Sequence, residues 1–177
     1  MAKKIIEIFF IIFLAWVFSL PVRFFLFQPF LVSGSSMEPN FFSGEYLLIN
    51  VLKYKISDPQ RGDVIVFKTP KRGVFLIKRV IGLPGETVEI KDGKVIIYNS
   101  KHPQGFVLKE NYLKENFTPG EMKITLKKDE YFVLGDNRRY SYDSRNFGPI
   151  KRKDILGKAW ISLSLKKGLA LEKTPSY

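Results

Sequence analysis

The chain has no cysteine and a single histidine. Without cysteine, disulfides, thiolate catalysis, iron–sulfur clusters and cysteine-ligated zinc are excluded, although the compartment is not decided by that absence. Any Ser-His-Asp triad would have to use His102, and its context, KHPQG, reads as an exposed loop. Acidic residues are scarce as well. The 17 Asp and Glu stand against 29 Lys and Arg, a net charge of +12, which asks for an anionic partner such as lipid headgroups or nucleic acid. The basic residues are scattered and no helix-turn-helix, zinc-finger or single-strand-binding signature accompanies them, so nucleic acid is the weaker reading. No internal repeat emerges. A length of 177 residues suits one core with a smaller appendage once the N-terminal segment is set aside.

That segment runs IIEIFFIIFLAWVFSL from Ile5 to Leu20, interrupted mainly by Glu7. A bilayer-crossing helix needs roughly 20 apolar residues, so residues 4 to 22 suffice if Lys4 snorkels and Glu7 sits near the headgroups. Lys3 and Lys4 favour a cytoplasmic N-terminus, and Arg23 weakens the asymmetry. The expectation is a cytoplasmic stretch 1–4, one transmembrane helix as anchor over 5–27, and an extracytoplasmic domain over 28–177. A cleaved signal peptide is the rival, but Phe18-Ser19-Leu20-Pro21 is no small-x-small cleavage site. A buried soluble helix is the third reading.

Beyond the anchor the fold is expected to be mainly β. Val64–Phe67 after the Arg61-Gly62-Asp63 turn, Val74–Ile81 and Tyr131–Leu134 read as strands, and Ala159–Leu165 as another. Thr87–Ile90 and Lys94–Tyr98 flank Asp92-Gly93, a hairpin signal because Gly accepts positive φ. Residues 99–128 lack a long periodic run and suit a small second lobe, placed at about 95–128. Lys166–Tyr177 reads as a frayed basic tail.

Three segments carry the chemistry. Ser36 lies in a Gly/Ser/Pro loop, VSGSSMEPN over 32–40, directly after the apolar segment. On its own such a loop is turn chemistry. Lys78 sits among Leu76, Ile77, Val80 and Ile81, where strand alternation puts it and Arg79 on opposite faces. A buried lysine has its pKa lowered, and a neutral amine can take a serine proton. An edge strand with a solvent-facing lysine is the bland alternative. The loop from Gly135 to Gly148 crowds Asp136, Asn137, Arg138, Arg139, Ser141, Asp143, Ser144 and Arg145 together. It is either a solvated loop of weak ion pairs or a scaffold that positions Lys78.

SGSSMEP at 33–39, RGDVIVF at 61–67, IKRVIGLPGE at 77–86 and GDNRRYSYDSRNFG at 135–148, in this order behind an apolar segment, resemble the bacterial type I signal peptidases. The resemblance implies a membrane-anchored, β-rich catalytic core that removes signal peptides after Ala-x-Ala-type sites, outside the cytoplasmic membrane and without metal or organic cofactor. By motif match Ser36 is the nucleophile, Lys78 the general base and Ser141 the hydroxyl that orients it. Asp136 with Arg79 and Asp143 with Arg145 match supporting ion pairs. Substrate pockets fall at Val32, Ser33 and Gly34, and at Leu76 and Ile77. Implied partners are preprotein signal peptides, anionic membrane lipid and the export translocon. Gly34 replaces a serine that donates to the oxyanion in many members, leaving the Ser36 backbone N–H with Ser33 or Ser35 as helpers. Asn40 replaces the usual threonine, with little effect expected. The different-class alternative is a non-catalytic anchored β domain that binds exported proteins.

Overall fold

The computed structural model describes residues 2–69, 73–164, 168–172 and 174–175. Helix α1 (Ala2–Leu26) leads directly into β1 (Phe27–Leu31), followed by β2 (Tyr46–Asn50), the short helix α2 (Lys53–Ile56), β3 (Val64–Lys68) and β4 (Phe75–Gly82). Then come β5 (Thr87–Lys91), β6 (Lys94–Asn99), β7 (His102–Val107), β8 (Met122–Thr125) and β9 (Glu130–Leu134). Helix α3 (Ser144–Phe147), β10 (Ile150–Lys151), β11 (Ile155–Ser164) and β12 (Gly168–Leu171) complete the chain.

Among the described residues the strands form two sheets. The larger has the order β1-β2-β11-β3-β4-β9-β10 with β12 added beside β11, and the smaller has the order β7-β6-β5-β8. Strands β3 and β9 are buried at four successive positions, which is why VIVF and YFVL carry no apolar–polar alternation. In β5 and β6, by contrast, burial alternates, as expected of a sheet with one wet face. Their hairpin turns at Asp92 and Gly93, both at positive φ, the geometry that closes a two-residue loop.

Three clusters make the core. Ile81, Val88, Ile90, Ile97, Phe132 and Leu134 join the two sheets, while Ile65, Phe67, Val80, Tyr131 and Ile155 fill the opposite side of the larger one. The third matters most for the site, because Met37 and Phe41 of the Ser/Gly loop are buried against Leu47, Ile49, Val64 and Val66. Each large side chain so buried contributes roughly 1.5–3 kcal/mol, enough to pin the loop on both sides of residues 38–40.

Three expectations change. Residues 99–128 are more ordered than their sequence suggested: β7 and β8 flank the β5–β6 hairpin, so the smaller sheet spans 87–125. His102 is exposed, but it lies in β7, with its ring 4.8 Å from Phe106. The tail is paired, not frayed: β12 runs antiparallel to β11, and Thr174 donates to Asp63 Oδ1 at 2.7 Å. Lys166, Lys167, Lys173, Ser176 and Tyr177 lie outside the described residues. For the anchor, no helix among the described residues is long and apolar enough to cross a membrane. Side chains 18–27 of the expected 5–27 span lie outside the described residues, and those from Ile5 to Val17 are exposed.

Candidate active site

Ser36 reaches its position through its neighbours. Met37 and Phe41 are 1% and 0% exposed, Phe41 N donates to Met37 O at 3.0 Å, and the Glu38–Pro39 peptide is cis. On the other flank Asn137 N donates to Ser36 O at 3.0 Å and Asn137 Nδ2 to Ser35 O at 3.1 Å. The Ser36 loop and the polar loop are therefore stitched together by the backbone and side-chain N–H groups of Asn137.

Lys78 enters from β4. It is 2% exposed, and its Nζ donates to Ser36 Oγ at 2.7 Å and to Ile77 O at 2.8 Å. Burial pushes its pKa down to about 8, against the opposing pull of the Asp143 and Asp136 charges. A lysine desolvated this far is neutral in a large fraction of molecules at mildly alkaline pH. With the amine neutral, the same 2.7 Å contact runs the other way, the hydroxyl donating to the nitrogen lone pair.

Arg79, the next residue, points to the other face as strand alternation requires. Its Nε and Nη2 hold Asp136 Oδ1 and Oδ2 at 2.8 and 2.6 Å, and its guanidinium lies 4.1 Å from the Tyr112 ring centroid. Asp143 is clamped by Arg145 at 2.9 and 2.8 Å, accepts from Gly135 N at 3.1 Å and caps α3. Both expected ion pairs are thus formed, each with a fully buried carboxylate side chain. Ser141 Oγ is buried and has no hydrogen-bond partner, so the expected bond from Ser141 to Lys78 is not made in this structure. The lysine's remaining contact goes instead to the adjacent carbonyl of Ile77. Gly135 explains the close fit: a Cβ there would stand 2.6 Å from Ser141 Cβ and closer still to Ser141 Oγ and to Ser36 O.

A cleft of about 90 Å³ opens beside the pair, lined among others by Val32, Ser33, Ser36, Leu76, Ile77 and Lys78. Gly34 does not line it; it takes positive φ and donates to Ser43 Oγ at 3.3 Å. Val32 N donates to Glu45 O at 2.8 Å, so this residue offers the cleft its side chain and not its N–H. The cleft lies between two strands that are far apart in the sheet order. Phe75 to Lys78 of β4 pair with β3 alone, Arg79 pairs with both β3 and β9, and Val80 and Gly82 pair with β9. β1 is the other open edge, and the sheet curls until Phe30 and Phe75 meet at 5.7 Å.

Several contributors were missed from sequence. Asn40, expected to matter little, donates to Asp136 Oδ2 at 2.7 Å and to Tyr112 O at 3.1 Å, tying the Ser36 loop to the Arg79 pair. Arg138 forms a bidentate, almost fully buried pair with Glu110 and also donates to Thr118. Glu110 lies in the stretch that lacked any periodic pattern, and no sequence signal ties it to Arg138. No cluster of His, Asp or Glu among the described residues could hold a metal ion.

A family model described as "Signal peptidase, peptidase S26" matches residues 5–163. Signal peptidase I V of Bacillus subtilis (strain 168) is 40% identical over 149 residues, 80% of this chain and 88% of its own length. Signal peptidase IB of Staphylococcus aureus (strain Mu50 / ATCC 700699) is 34% identical over 165 residues, 82% of this chain and 86% of its own. A crystal structure of a signal peptidase I from Enterococcus faecalis V583 superposes with a TM-score of 0.50 at 39% identity, covering 58% of this chain and 97% of that one.

Proposed function

Because the chain belongs to the signal peptidase family, peptidase S26, we propose that it removes N-terminal signal peptides from exported preproteins, with Ser36 as nucleophile and Lys78 as general base. The observation that carries this reading is the 2.7 Å contact between a buried, pKa-lowered amine and a serine hydroxyl. Neutral Lys78 accepts the Ser36 proton as Oγ attacks the scissile carbonyl, then returns it to the leaving amine; water repeats the cycle to release the acyl group. The developing oxyanion is met by the Ser36 backbone N–H, with the Ser33 or Ser35 hydroxyl as helper. Ser141 supplies a buried hydroxyl within the same close-packed corner as Gly135 and Ser36. Its part in this reading is to orient the Lys78 amine.

The signal peptide binds extended between β1 and the unpaired half of β4, adding a strand to the curled sheet. Val32 and Ser33 follow from β1 on one side, and Leu76 and Ile77 flank it on the other. A cleft of about 90 Å³ suits small side chains at the positions before the cut, the basis for Ala-x-Ala selection. Helix α1 acts as the anchor: its side chains from Ile5 to Val17 are apolar all round apart from Glu7, the pattern of a helix surrounded by lipid. The catalytic domain then sits on the outer face of the cytoplasmic membrane. No cofactor is required by this chemistry, and the export translocon is a natural neighbour.

The test is cleavage of a preprotein with an Ala-x-Ala site by detergent-solubilised wild type, Ser36→Ala and Lys78→Ala, with product masses read by mass spectrometry. Cleavage after the second alanine by wild type alone is expected. Intact substrate bound equally well by all three would refute the peptidase in favour of an anchored binding domain.

A further inference from the structure

A second groove, of about 420 Å³, lies at one end of the larger sheet, bordered among others by Lys55, Lys68, Phe75, Arg152, Lys153 and Asp154. Four cations face one carboxylate there. Arg152 is held by Asp58 at 3.0 Å, while Lys68 and Lys153 form no ion pair among the described residues. Phe75 in the groove's lining is 50% exposed, and Leu52, Ile56 and Val74, next in the chain to the lining residues Val51, Lys55 and Phe75, are 39%, 78% and 48% exposed. Phe75 belongs to both this groove and the cleft beside Ser36.

The position of the groove in the sheet gives it meaning. β1 begins where α1 ends, and its first residue, Phe27, pairs with Asn50. Asn50 Oδ1 in turn accepts from Lys53 N at 2.9 Å at the start of α2, and Asn50 also faces Lys158 of β11. On the neighbouring strand, Phe67 faces Ile155, so the end of β3 that leads to Lys68 belongs to the same edge. The sheet edge from which α1 departs therefore carries the basic groove.

We propose that this groove seats the phosphate of an anionic phospholipid headgroup at the bilayer surface, with Phe75 and the neighbouring exposed apolar side chains dipping into the interface, so that the adjoining cleft opens at membrane level. The inference rests on the reading of α1 as an anchor and assigns the chain's positive charge a specific contact. Charge complementarity selects the occupant. Each lysine held near an anionic leaflet favours contact about fivefold, an effect confined to within a Debye length.

The experiment uses the full chain in nanodiscs of phosphatidylcholine alone or with about 30% phosphatidylglycerol, a fraction giving a strongly negative surface. Backbone hydrogen exchange is followed over residues 51–56, 67–69, 74–76 and 152–156. Exchange is expected to slow severalfold in the anionic discs at low salt, to recover at about 0.5 M salt, where screening is nearly complete, and to show no lipid dependence in the Lys55→Gln/Lys68→Gln/Lys153→Gln variant. That variant should still cleave a short soluble peptide in detergent at the wild-type rate, which shows that it folds. Equal exchange in both discs, retained protection in the variant, or protection by inorganic phosphate or a DNA oligomer without lipid would overturn the proposal, as would failure of the chain to enter discs. Loss of the peptidase reading shows up separately, as absence of Ser36-dependent cleavage with the exchange pattern intact.

Discussion

Replacing Gly135 with alanine tests whether the nucleophile loop and the polar loop are packed to tolerance. The added Cβ would lie 2.6 Å from Ser141 Cβ and nearer still to the Ser36 carbonyl oxygen, where real Cβ contacts essentially never fall below 3.0 Å. A side chain can rotate away, but a backbone carbonyl bonded to Asn137 N cannot. The loops must separate by roughly half an ångström, and overpacking of this kind costs about 1–3 kcal/mol. Ser36 moves with its carbonyl, away from an amine that holds it at 2.7 Å. Since a misplacement near 1 Å costs about 10²-fold in rate, kcat/KM should fall on the order of 10- to 100-fold. The assay is hydrolysis of a fluorogenic signal-peptide substrate, alongside thermal melting. Gly157→Ala is the control, because its Cβ would meet Asn50 O at 2.7 Å and Ile49 Cγ2 at 2.8 Å, away from the site. It should lower stability comparably while leaving kcat/KM of the folded protein unchanged. Wild-type kcat/KM in Gly135→Ala, or equal losses in the two variants, would refute the reasoning.

Glu110→Ala strands the almost fully buried Arg138 guanidinium and should cost about 3–5 kcal/mol, read by denaturant unfolding. Asn40→Ala removes the bonds to Asp136 and the Tyr112 carbonyl, so a loss of about 1.5–3 kcal/mol and a severalfold drop in kcat/KM are expected. In wild type, kcat/KM should rise with pH to a half-maximum near 8 and then level, because Lys78 is protonated and inactive below its pKa and neutral above it. Asp143→Asn should move that midpoint to lower pH and Arg145→Gln to higher pH; an unmoved midpoint in both would show that the pair does not reach the lysine.

The strands buried on both faces were plain in the sequence because unbroken apolar runs such as VIVF have few other homes. The Asp92-Gly93 turn was plain because two positive φ angles need such residues. Ser36, Lys78 and both ion pairs were named through the family resemblance of the motifs that hold them; Arg79 and Asp136 lie 57 positions apart, and nothing local joins them. β7 and β8 escaped because their stability comes from pairing with β6 and β5, while their own residues are mostly exposed or half-exposed. Asn40, Glu110 and Asn137 escaped for a related reason: their bonds cross 96, 28 and 102 positions of chain, and nothing local marks a residue whose partner arrives only on folding.

The two aspartates and two arginines around Lys78 are best understood through the field that they leave at its amine. Asp143 and Asp136 each raise the lysine pKa, and two such carboxylates left bare would work against the burial that lowers it. Neither is bare. Arg79 grips Asp136 with two nitrogens, and Arg145 does the same for Asp143. Each arginine cancels much of the carboxylate's charge at longer range, because the field of a close ion pair falls off faster than that of either partner alone. The carboxylates can then do mechanical work, Asp143 holding Gly135 N and capping α3, Asp136 holding Asn40, without keeping the lysine charged. Desolvation therefore wins at Lys78. The proposed use of Lys78 as a base asks for that compensation, and the two carboxylates that raise its pKa are each paired with a guanidinium.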